Sequence, residues 1–404
     1  MALIGLFIGD KILFIEEPLE TREFRQELRD YFSQLMTDEF RLQLEGGGPD
    51  HDKCYKEVIR QMGEDGWLAM GWPEEYGGQK RGTTDQIVFF EEAQAARVPL
   101  PLVTLNTIGP ALIDFGTQEQ KDKFLPDIIT GKVHFAIGYS EPGAGTDLAA
   151  LKTEAIADGD DFIVNGTKMF TSGGPIADYI WLAVRTDPEA PKHKGISIII
   201  VDATDPGFSS ALIKTVGGLR TSMSYYDNIR VPASSIVGEV NKGWSLLAHQ
   251  LNHERIILAA LVVRGRELFD RVIDWSKEIG DNGSRVIDQQ WVRTTLAEAY
   301  TRLEANRLMI QRMAWSMEND EIAPAFASAI KVSSSECLVD IYRLLMSVVG
   351  PLATVRRNSK TVMLNGDLEE AYRKCQNNTF GGGVNEVLRE MIARMGLNMP
   401  KIMR

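Results

Sequence analysis

The sequence predicts an α+β protein built from three consecutive regions: helices, then a sheet, then helices. From Glu20 to about Thr130, apolar residues recur every three or four positions, as they do along one face of an α-helix. Between residues 131 and 240 the pattern changes to short β-rich runs separated by turn clusters, and after Gly243 the helical spacing returns. This order, with no internal repeat, argues against a doubly wound nucleotide-binding fold. The predicted domains are therefore 1–130, 131–240 and 241–404.

The N-terminal region shows its helical spacing in the stretch TREFRQELRDYFSQLM, where Phe24, Leu28 and Phe32 follow at four-residue intervals. Proline and glycine in GWPEEYGG, residues 71–78, predict a break between helices. The first fourteen residues, MALIGLFIGDKILF, are apolar but lack a basic segment and a small-residue cleavage site. We interpret them as an ordinary or extended N-terminus.

Five β-rich runs make up the central region: VHFAIGYS, DFIVNGTKMFTS, DYIWLAVR, GISIIIV and YYDNIRV. Turn clusters such as ADGDD and TDPEAPKHKG separate them. Several short strands at regular spacing are typical of a compact sheet or barrel. The central region is therefore predicted to be a barrel-like β domain, followed by a helical C-terminal domain.

The composition argues against several classes of protein. Acidic residues outnumber basic ones by 56 to 44, a net charge of −12, so no basic surface for nucleic acid is expected. Cys54, Cys337 and Cys375 form no CxxC pair, which argues against zinc or disulfides and fits a reducing compartment. No run of about 20 apolar residues predicts a membrane span. We expect a cytoplasmic protein without nucleic-acid or membrane partners.

The stretch YSEPGAGTD, residues 139–147, is the first candidate for binding chemistry. It begins where a predicted strand ends, and Gly143 and Gly145 allow several backbone N–H groups to point into one concavity. Ser140 and Thr146 add hydroxyl groups. Such a nest suits a diphosphate or another anion. The alternative is an ordinary structural turn after a strand.

A second candidate is KMFTSGG, residues 168–174, at the end of a predicted hairpin strand. It places the ring of Phe170 beside the hydroxyl residues Thr171 and Ser172, and glycines follow. A flat heteroaromatic ligand needs such a combination: a stacking face, hydrogen-bonding groups along one edge and close backbone. The alternative is a sheet edge with polar turn residues.

A third candidate is Glu254, in the predicted helix GWSLLAHQLNHERIILAAL. It interrupts an apolar stripe that includes Leu247, Leu251 and Leu258, so burial is expected to raise its carboxyl pKa toward that of a useful base. The alternative is a structural salt bridge to a neighbouring helix. His249 and His253 share a face at i, i+4 spacing but have no third ligand candidate nearby, so no metal site is expected.

Long motifs in this sequence resemble the acyl-CoA dehydrogenase family: GYSEPGAGTDLAALKTEA, VNGTKMFTSGG, IRVP and GGGVNEVLRE occur in the family's order along the chain. The resemblance implies an N-terminal helical domain, a central β domain and a C-terminal four-helix bundle, with FAD between the last two. It also implies that Ser140 and Ser172 lie along the flavin edge, that Phe170 lies against the ring, and that Thr146 lies near the cofactor or thioester. The predicted cofactor-binding residues are Tyr139, Ser140, Gly145, Thr146, Phe170, Thr171 and Ser172.

The reaction implied by the resemblance is α,β-desaturation of an acyl-CoA thioester, with electrons passed to an electron-transferring flavoprotein. Many members carry the base as Glu in a YEGT(N/S)E motif, but GGGVNE here puts Gly382 at that position. Isovaleryl-CoA and long-chain dehydrogenases carry it instead in an ER(L/I) context, which HERIIL matches at Glu254. Glu254 is therefore the predicted catalytic base, and Thr146, Arg255 and Gly382 are predicted to bind substrate. Arg255 points about 100° away from Glu254 on an ideal helix, toward another site or a neighbouring subunit.

In homotetrameric members of the family, a neighbouring chain binds the adenine end of FAD through two motifs that this sequence lacks. IGDNGSRVIDQQ and LMSVVGPLA stand where Arg-x-x-Phe and Gln-(I/L)-x-Gly-Gly are found in such members. Several stretches, including LNHER and TFGGGVNEV, resemble the base-carrying subunit of heteromeric α2β2 dehydrogenases of bacterial steroid side-chain degradation. We therefore expect a homologous partner subunit and a bulky, polycyclic acyl-CoA. The alternatives are a homotetramer for short or branched thioesters, a flavin monooxygenase of the same fold, and a non-catalytic subunit.

Overall fold

A computed structural model describes residues 5–8, 11–14, 17–46, 50–248, 250, 262–280, 283–319 and 323–400. Its elements follow the predicted order of helices, sheet and helices. The N-terminal stretch that we interpreted as ordinary or extended forms an antiparallel hairpin of β1 (Gly5–Ile8) and β2 (Lys11–Phe14). The helices that follow are α1 (Leu19–Leu35), α2 (Asp38–Gly46), α3 (His51–Glu64), α4 (Thr83–Ala95), α5 (Gly109–Phe115) and α6 (Gln118–Ile129).

Helix α1 follows the spacing read from the sequence. Its buried residues include Phe24, Leu28 and Phe32, which face the core of the N-terminal region. Helix α6 begins with a capping box, in which Thr117 and Gln120 each bond the other's backbone N–H. These local signals determine which face of α1 is buried and where α6 begins.

The central strands form one eight-stranded sheet in the order β10-β7-β6-β4-β5-β9-β8, and β3 pairs in parallel with β6. Strand β6 is buried from Ile180 to Val184 because its two faces pack into different cores. Trp181 and Ala183 pack against the N-terminal helices, whereas Ile180, Leu182 and Val184 pack inside the sheet domain. The strands are β3 (Phe135–Gly138), β4 (Glu154–Asp158), β5 (Asp161–Lys168), β6 (Tyr179–Arg185), β7 (Ile196–Asp202), β8 (Phe208–Lys214), β9 (Arg220–Pro232) and β10 (Ile236–Val237).

The C-terminal region is helical, as predicted, and its long helices share one apolar core. Among the described residues, one helical stretch, Pro324–Thr354, is apolar and long enough to cross a membrane by composition alone, which the sequence reading had not singled out. Half of its most apolar window is buried inside the protein, where it packs against the neighbouring helices as a core helix does. The helices are α7 (243–248), α8 (Val262–Lys277), α9 (Gln290–Glu318), α10 (Pro324–Val349), α11 (Asp367–Cys375) and α12 (Asn385–Met391).

Candidate active site

The two glycine-containing motifs of the central domain lie side by side. Strand β3 ends at Gly138 and strand β5 ends at Lys168, so both motifs leave the sheet at strand ends. The backbone N–H of Met169 donates to the carbonyl oxygen of Ser140 at 2.8 Å. The structure therefore joins the segment that begins at Tyr139 directly to the segment that carries Phe170.

A buried ion pair, which the sequence reading missed, fixes these segments together. The ammonium of Lys168 lies 2.8 Å from Oε1 of Glu141 and donates to the carbonyl oxygen of Tyr139 at 3.2 Å. Glu141 also accepts the backbone N–H groups of Lys152 at 2.7 Å and Thr153 at 2.8 Å. Both carboxylate oxygens of Glu141 therefore accept hydrogen bonds, and the part of the turn next to the sheet is held in place. The available signal was an acidic residue near the start of one motif, Glu141, and a basic residue at the start of the other, Lys168.

Burial and pairing act in opposite directions on the two charges. The side chain of Lys168 is 0% exposed, and burial lowers its pKa to about 8 despite the opposing attraction of Glu141. Burial disfavours the Glu141 carboxylate as well, but the Lys168 ammonium and the hydrogen bonds from Thr153 outweigh it and hold the pKa of Glu141 below its usual value. The pair is therefore charged at neutral pH.

The outer part of the turn presents free donors to solvent. Ser140, Gly145 and Thr146 are exposed, and Gly145 has a φ of +57°. Within the described part of the chain, the backbone N–H groups of Gly145 and Thr146 have no hydrogen-bond partner. A Cβ atom built on Gly143 or Gly145 would meet nothing within 4 Å. The turn therefore offers open space and unused N–H donors, as an anion site requires.

The segment after β5 exposes the ring of Phe170 and the hydroxyl of Ser172, but Thr171, also predicted to bind the cofactor, faces inward. Phe170 is 56% exposed although its φ is +62°, a left-handed conformation that costs a non-glycine residue about 1–2 kcal/mol. Ser172 is exposed, with its hydroxyl 3.2 Å from that of Thr221. The side chain of Thr171 is buried, and its hydroxyl lies 2.8 Å from that of Ser224. Thr171 thus faces the sheet, whereas Phe170 and Ser172 face outward.

A hydrogen-bonded chain of side chains connects Tyr139 to the C-terminal region. The indole N–H of Trp181 donates to the Tyr139 hydroxyl at 3.1 Å, and that hydroxyl donates to Oε1 of Gln250. Gln250 lies in the predicted base helix, which is helical over 243–248 and at Gln250. Glu254 and Arg255, the predicted base and its neighbour, lie outside the described residues, as do His249 and His253.

The triple glycine forms a turn that a buried lysine holds. Gly382 and Gly383 have φ values of +66° and +104°, so two of the three glycines satisfy a backbone requirement. Lys331 of helix α10 is 1% exposed and donates to the carbonyl oxygen of Gly383 and, at 2.9 Å, to Oδ1 of Asn385. The sequence reading did not single out Lys331, because a lysine within an apolar helix gives no signal of its partners.

A cavity of about 280 Å³ opens next to Ser172, between the N-terminal helices and the sheet. Arg220 lies at one wall, where it bonds Asp52 at 2.6 Å and Nδ1 of His51 at 2.7 Å. His134 lies at another, 4% exposed; burial first, and then the charge of a nearby lysine, lower its pKa to about 4. His134 is therefore neutral at neutral pH, and the rest of the lining is largely apolar.

Comparison with known proteins identifies the class to which this fold and this pair of motifs belong. The chain matches the acyl-CoA dehydrogenase N-terminal domain over residues 19–132, the middle domain over 136–229 and the C-terminal domain over 241–397. The chain belongs to the acyl-CoA dehydrogenase family. The predicted fold class and enzyme class are thereby confirmed.

Three similar proteins indicate which members of the family this chain resembles. Acyl-CoA dehydrogenase FadE26 of Mycobacterium tuberculosis is 47% identical over 397 residues, which are 95% of this chain and 98% of the relative. A solved structure described as the Tcur3481-Tcur3483 steroid ACAD superposes with a TM-score of 0.90 at 51% identity, covering 96% of this chain and 99% of that one. The ChsE4-ChsE5 complex from Mycobacterium tuberculosis gives a TM-score of 0.90 at 46% identity, covering 96% and 99%. The predicted similarity to heteromeric steroid acyl-CoA dehydrogenases is confirmed.

Proposed function

We propose that this enzyme carries out FAD-dependent α,β-desaturation of a bulky acyl-CoA thioester of the steroid side-chain class. The observation that carries the proposal is the junction of the two central motifs, in which the buried Glu141–Lys168 pair holds a turn with free donors against a segment with an exposed ring. That arrangement offers an anion site and a stacking face within one surface. The similarity to proteins described as steroid dehydrogenases supports the substrate class.

The residues present fit a flavin nucleotide. The free N–H groups of Gly145 and Thr146 suit its diphosphate, and the hydroxyls of Ser140 and Ser172 suit hydrogen bonds to the edge of a ring. The exposed side chain of Phe170 suits the face of that ring. Tyr139 and Thr171 contribute by holding these two segments in place. When bound, FAD supplies the two-electron acceptor that the reaction requires.

The part of the reaction assigned to this chain is removal of the α-proton. That proton is a weak acid, so its removal needs a carboxylate held in a site that excludes water, close to the α-carbon. We assign this role to Glu254, because Gly382 provides no carboxylate at the alternative position and Glu254 interrupts an apolar helical stripe. Arg255 and Thr146 are assigned to substrate binding.

Two matched substitutions test the assignment of the base. Glu254→Gln is expected to abolish desaturation while FAD stays bound at the wild-type ratio. Glu386→Gln removes a carboxylate from an exposed position on helix α12 and is expected to leave turnover unchanged. Turnover by Glu254→Gln within about twofold of wild type would contradict the role of Glu254 and favour a partner-subunit base.

The breadth of the acyl pocket is tested with a series of thioesters. Rates of acyl-CoA oxidation are to be measured for isobutyryl, long-chain and steroid side-chain thioesters. The glycine turn brings no side chain into its part of the site, and the cavity beside Ser172 adds room, so we expect the highest kcat/KM for the ring-bearing thioester. A preference for the isobutyryl or the long-chain substrate would refute the proposed substrate class.

We further propose that a homologous subunit completes the enzyme in an α2β2 assembly and that an electron-transferring flavoprotein receives the electrons. The pairing named for two of the solved relatives supports this, as does a run of exposed apolar side chains near the C-terminus. Expression alone should give little bound FAD, and coexpression with a homologous subunit should restore it. A homotetramer that is saturated with FAD and active alone would rule the partner out. The exposed apolar residues are Phe380, Val387, Met395, Leu397 and Met399.

A further inference from the structure

The cavity beside Ser172 is lined by two polar side chains, His134 and Tyr55, that make no hydrogen bond within the described part of the chain. Nδ1 of His134 is buried, and the whole residue is 4% exposed. Tyr55 is half-buried on helix α3, and its ring centroid lies 5.7 Å from that of His134. Two neighbouring groups that can donate or accept a hydrogen bond therefore meet the same space.

The other polar side chains on the cavity wall are already bonded to protein. Thr104 Oγ1 accepts a backbone N–H at the start of β3 at 3.1 Å, and the Ser172 hydroxyl bonds a neighbouring hydroxyl at 3.2 Å. Arg220 is held by Asp52 and His51, as described above. Among the lining residues, all of which the structure describes, the imidazole and the phenol are therefore the polar groups without a protein partner.

The backbone of His134 is fixed independently of its ring. Its N–H donates to Oδ2 of Asp178 at 2.8 Å, and its carbonyl oxygen accepts the N–H of Asp178, also at 2.8 Å. These bonds hold the residue at the cavity wall while the imidazole contributes none. Because buried polar side chains in native proteins nearly always have a hydrogen-bond partner, an unpartnered imidazole at a cavity indicates that a ligand supplies the missing bond.

The chemistry of the cavity wall favours an uncharged, mostly apolar ligand. Burial lowers the pKa of His134 to about 4 and raises that of Tyr55 to about 12, so both are neutral at neutral pH. The charged residues of the wall, Arg220 and Asp52, form an ion pair with each other. The volume of about 280 Å³ lies just below the roughly 300–1,000 Å³ of small-molecule sites, so it suits one part of an acyl-CoA. The apolar part of the wall includes Leu100, Leu102, Val103, Phe135, Ile176 and Leu212.

We propose that this cavity receives the ring-bearing part of the acyl group and that His134, together with Tyr55, hydrogen-bonds a neutral ring oxygen, either a ketone or a hydroxyl. This inference rests on the proposed function, because it takes a bulky acyl-CoA as the substrate. It adds a chemical requirement to the requirement for bulk. A ring ketone accepts from the imidazole N–H and the phenol O–H, and a ring hydroxyl can also donate to the imidazole. A ring without oxygen leaves both groups unpaired.

The test measures binding of unreactive thioether analogues of a ring-bearing acyl-CoA to the complete FAD-loaded enzyme. Three analogues, with a ring ketone, a ring hydroxyl or no ring oxygen, are compared by equilibrium dialysis. We expect the wild type to bind each oxygenated analogue at least about fivefold more tightly than the deoxy analogue, because the deoxy ring leaves buried groups unpaired. His134→Phe keeps a ring of similar size without hydrogen-bonding groups, so the preference should fall to within about twofold.

Infrared spectroscopy of the bound ketone provides a readout that does not depend on affinity. A hydrogen bond weakens the C=O bond, so the carbonyl band of a ¹³C-labelled ring ketone should lie at lower frequency in the wild type than in His134→Phe. Tyr55→Phe removes only a hydroxyl and should shift the band in the same direction by a smaller amount. His193→Phe is the matched control, since His193 is exposed and packs on Trp244, with ring centroids 4.5 Å apart. It should leave the preference and the band unchanged.

The outcomes separate this inference from the proposed function. If the wild type oxidises the ring-bearing thioester but binds the oxygenated and deoxy analogues equally, the inference fails and the proposed function stands. A preference and a carbonyl band that stay unchanged in both His134→Phe and Tyr55→Phe would also overturn it. If the wild type oxidises no ring-bearing thioester, the proposed function fails and the inference fails with it. Should His134→Phe not fold, the preference and the carbonyl band of Tyr55→Phe decide.

Discussion

Two buried lysines, one in the sheet and one in the C-terminal helical region, hold glycine-rich turns in different ways. Lys168 in the sheet pairs with the carboxylate of Glu141, whereas the partners of Lys331 in the helical bundle include two neutral oxygens, the Gly383 carbonyl and the Asn385 amide. The first turn is held where it leaves the sheet, and two N–H groups of its outer part have no hydrogen-bond partner among the described residues. The second is fixed through its own backbone. The difference teaches that the turn next to the sheet is anchored by a charge pair, whereas the triple-glycine turn is anchored by hydrogen bonds to neutral oxygens.

The largest expected effect is on the charged anchor. Lys168→Met leaves the buried Glu141 carboxylate without its cation, and breaking a buried pair in this way typically costs about 3–5 kcal/mol of unfolding free energy. Chemical denaturation measures the change. The matched control is Lys192→Met, which breaks an exposed ion pair with Asp147, a residue of the same turn as Glu141. It should lower the unfolding free energy by about 0–1 kcal/mol. Equal effects of the two substitutions would contradict the account of the Glu141–Lys168 pair.

The Glu141–Lys168 pair also predicts that Lys168→Met reverses the direction in which stability changes as the pH falls. In the wild type the pKa of Glu141 is held below its ordinary value of 4.5, so its stabilising contribution is complete above that pH and is lost as pH falls through the folded-state pKa. In Lys168→Met, burial should raise the pKa of Glu141 above the ordinary value. Protonation then removes a buried charge, so this variant should gain stability on acidification where the wild type loses it. Thermal unfolding between about pH 3 and 7 distinguishes the two behaviours. Parallel pH profiles would show that Glu141 is not controlled by Lys168.

A smaller effect is expected at the hydrogen-bonded anchor. Lys331→Met keeps the length of the side chain but leaves the Gly383 and Asn385 oxygens without this donor, at a cost of about 1–3 kcal/mol. Because the glycine turn then loses its support, discrimination between bulky and small thioesters should weaken while FAD binding is retained. The ratio of kcat/KM values for the two substrates is the measurement. A loss of FAD with unchanged discrimination would place the role of Lys331 elsewhere.

The smallest change, at Gly382, separates backbone geometry from space. Its φ of +66° means that any side chain there is strained, by about 1–2 kcal/mol, so Gly382→Ala measures the backbone cost alone. Gly382→Glu adds a carboxylate to the glycine turn and should lower kcat/KM for ring-bearing thioesters several-fold more than for isobutyryl-CoA. Equal losses for both substrates, after correction by the alanine variant, would contradict the idea that this glycine leaves room for the acyl group.

The fold could be predicted from the sequence because its signals are local. The spacing of Phe24, Leu28 and Phe32 predicted helix α1, and the β-rich runs predicted strands that the structure shows. The hairpin of Gly5–Ile8 and Lys11–Phe14 was missed although its sequence carries a signal: two short apolar runs separated by Gly9 and Asp10, a dipeptide typical of two-residue hairpin turns.

The candidate site could be predicted in part. The two motifs around Ser140 and Phe170 were found because they are short and continuous, and the structure joins them. Lys168, Lys331 and Gln250 were not assigned roles, because their partners are distant in sequence: 27 residues for Lys168 and Glu141, and 111 for Gln250 and Tyr139. Which side of the turn Thr171 faces was likewise set by its contact with Ser224, which no local pattern reveals.

The central claim is that Glu254 removes the α-proton of a bulky acyl-CoA, and an anaerobic single turnover tests it most directly. The FAD-loaded enzyme is mixed with one equivalent of a steroid side-chain thioester, the flavin absorbance is followed, and the product mass is measured. We expect the wild type to bleach and to release a product two hydrogens lighter, and Glu254→Gln to bind the thioester without either change. Bleaching of Glu254→Gln at the wild-type rate, with the same product, would contradict the claim.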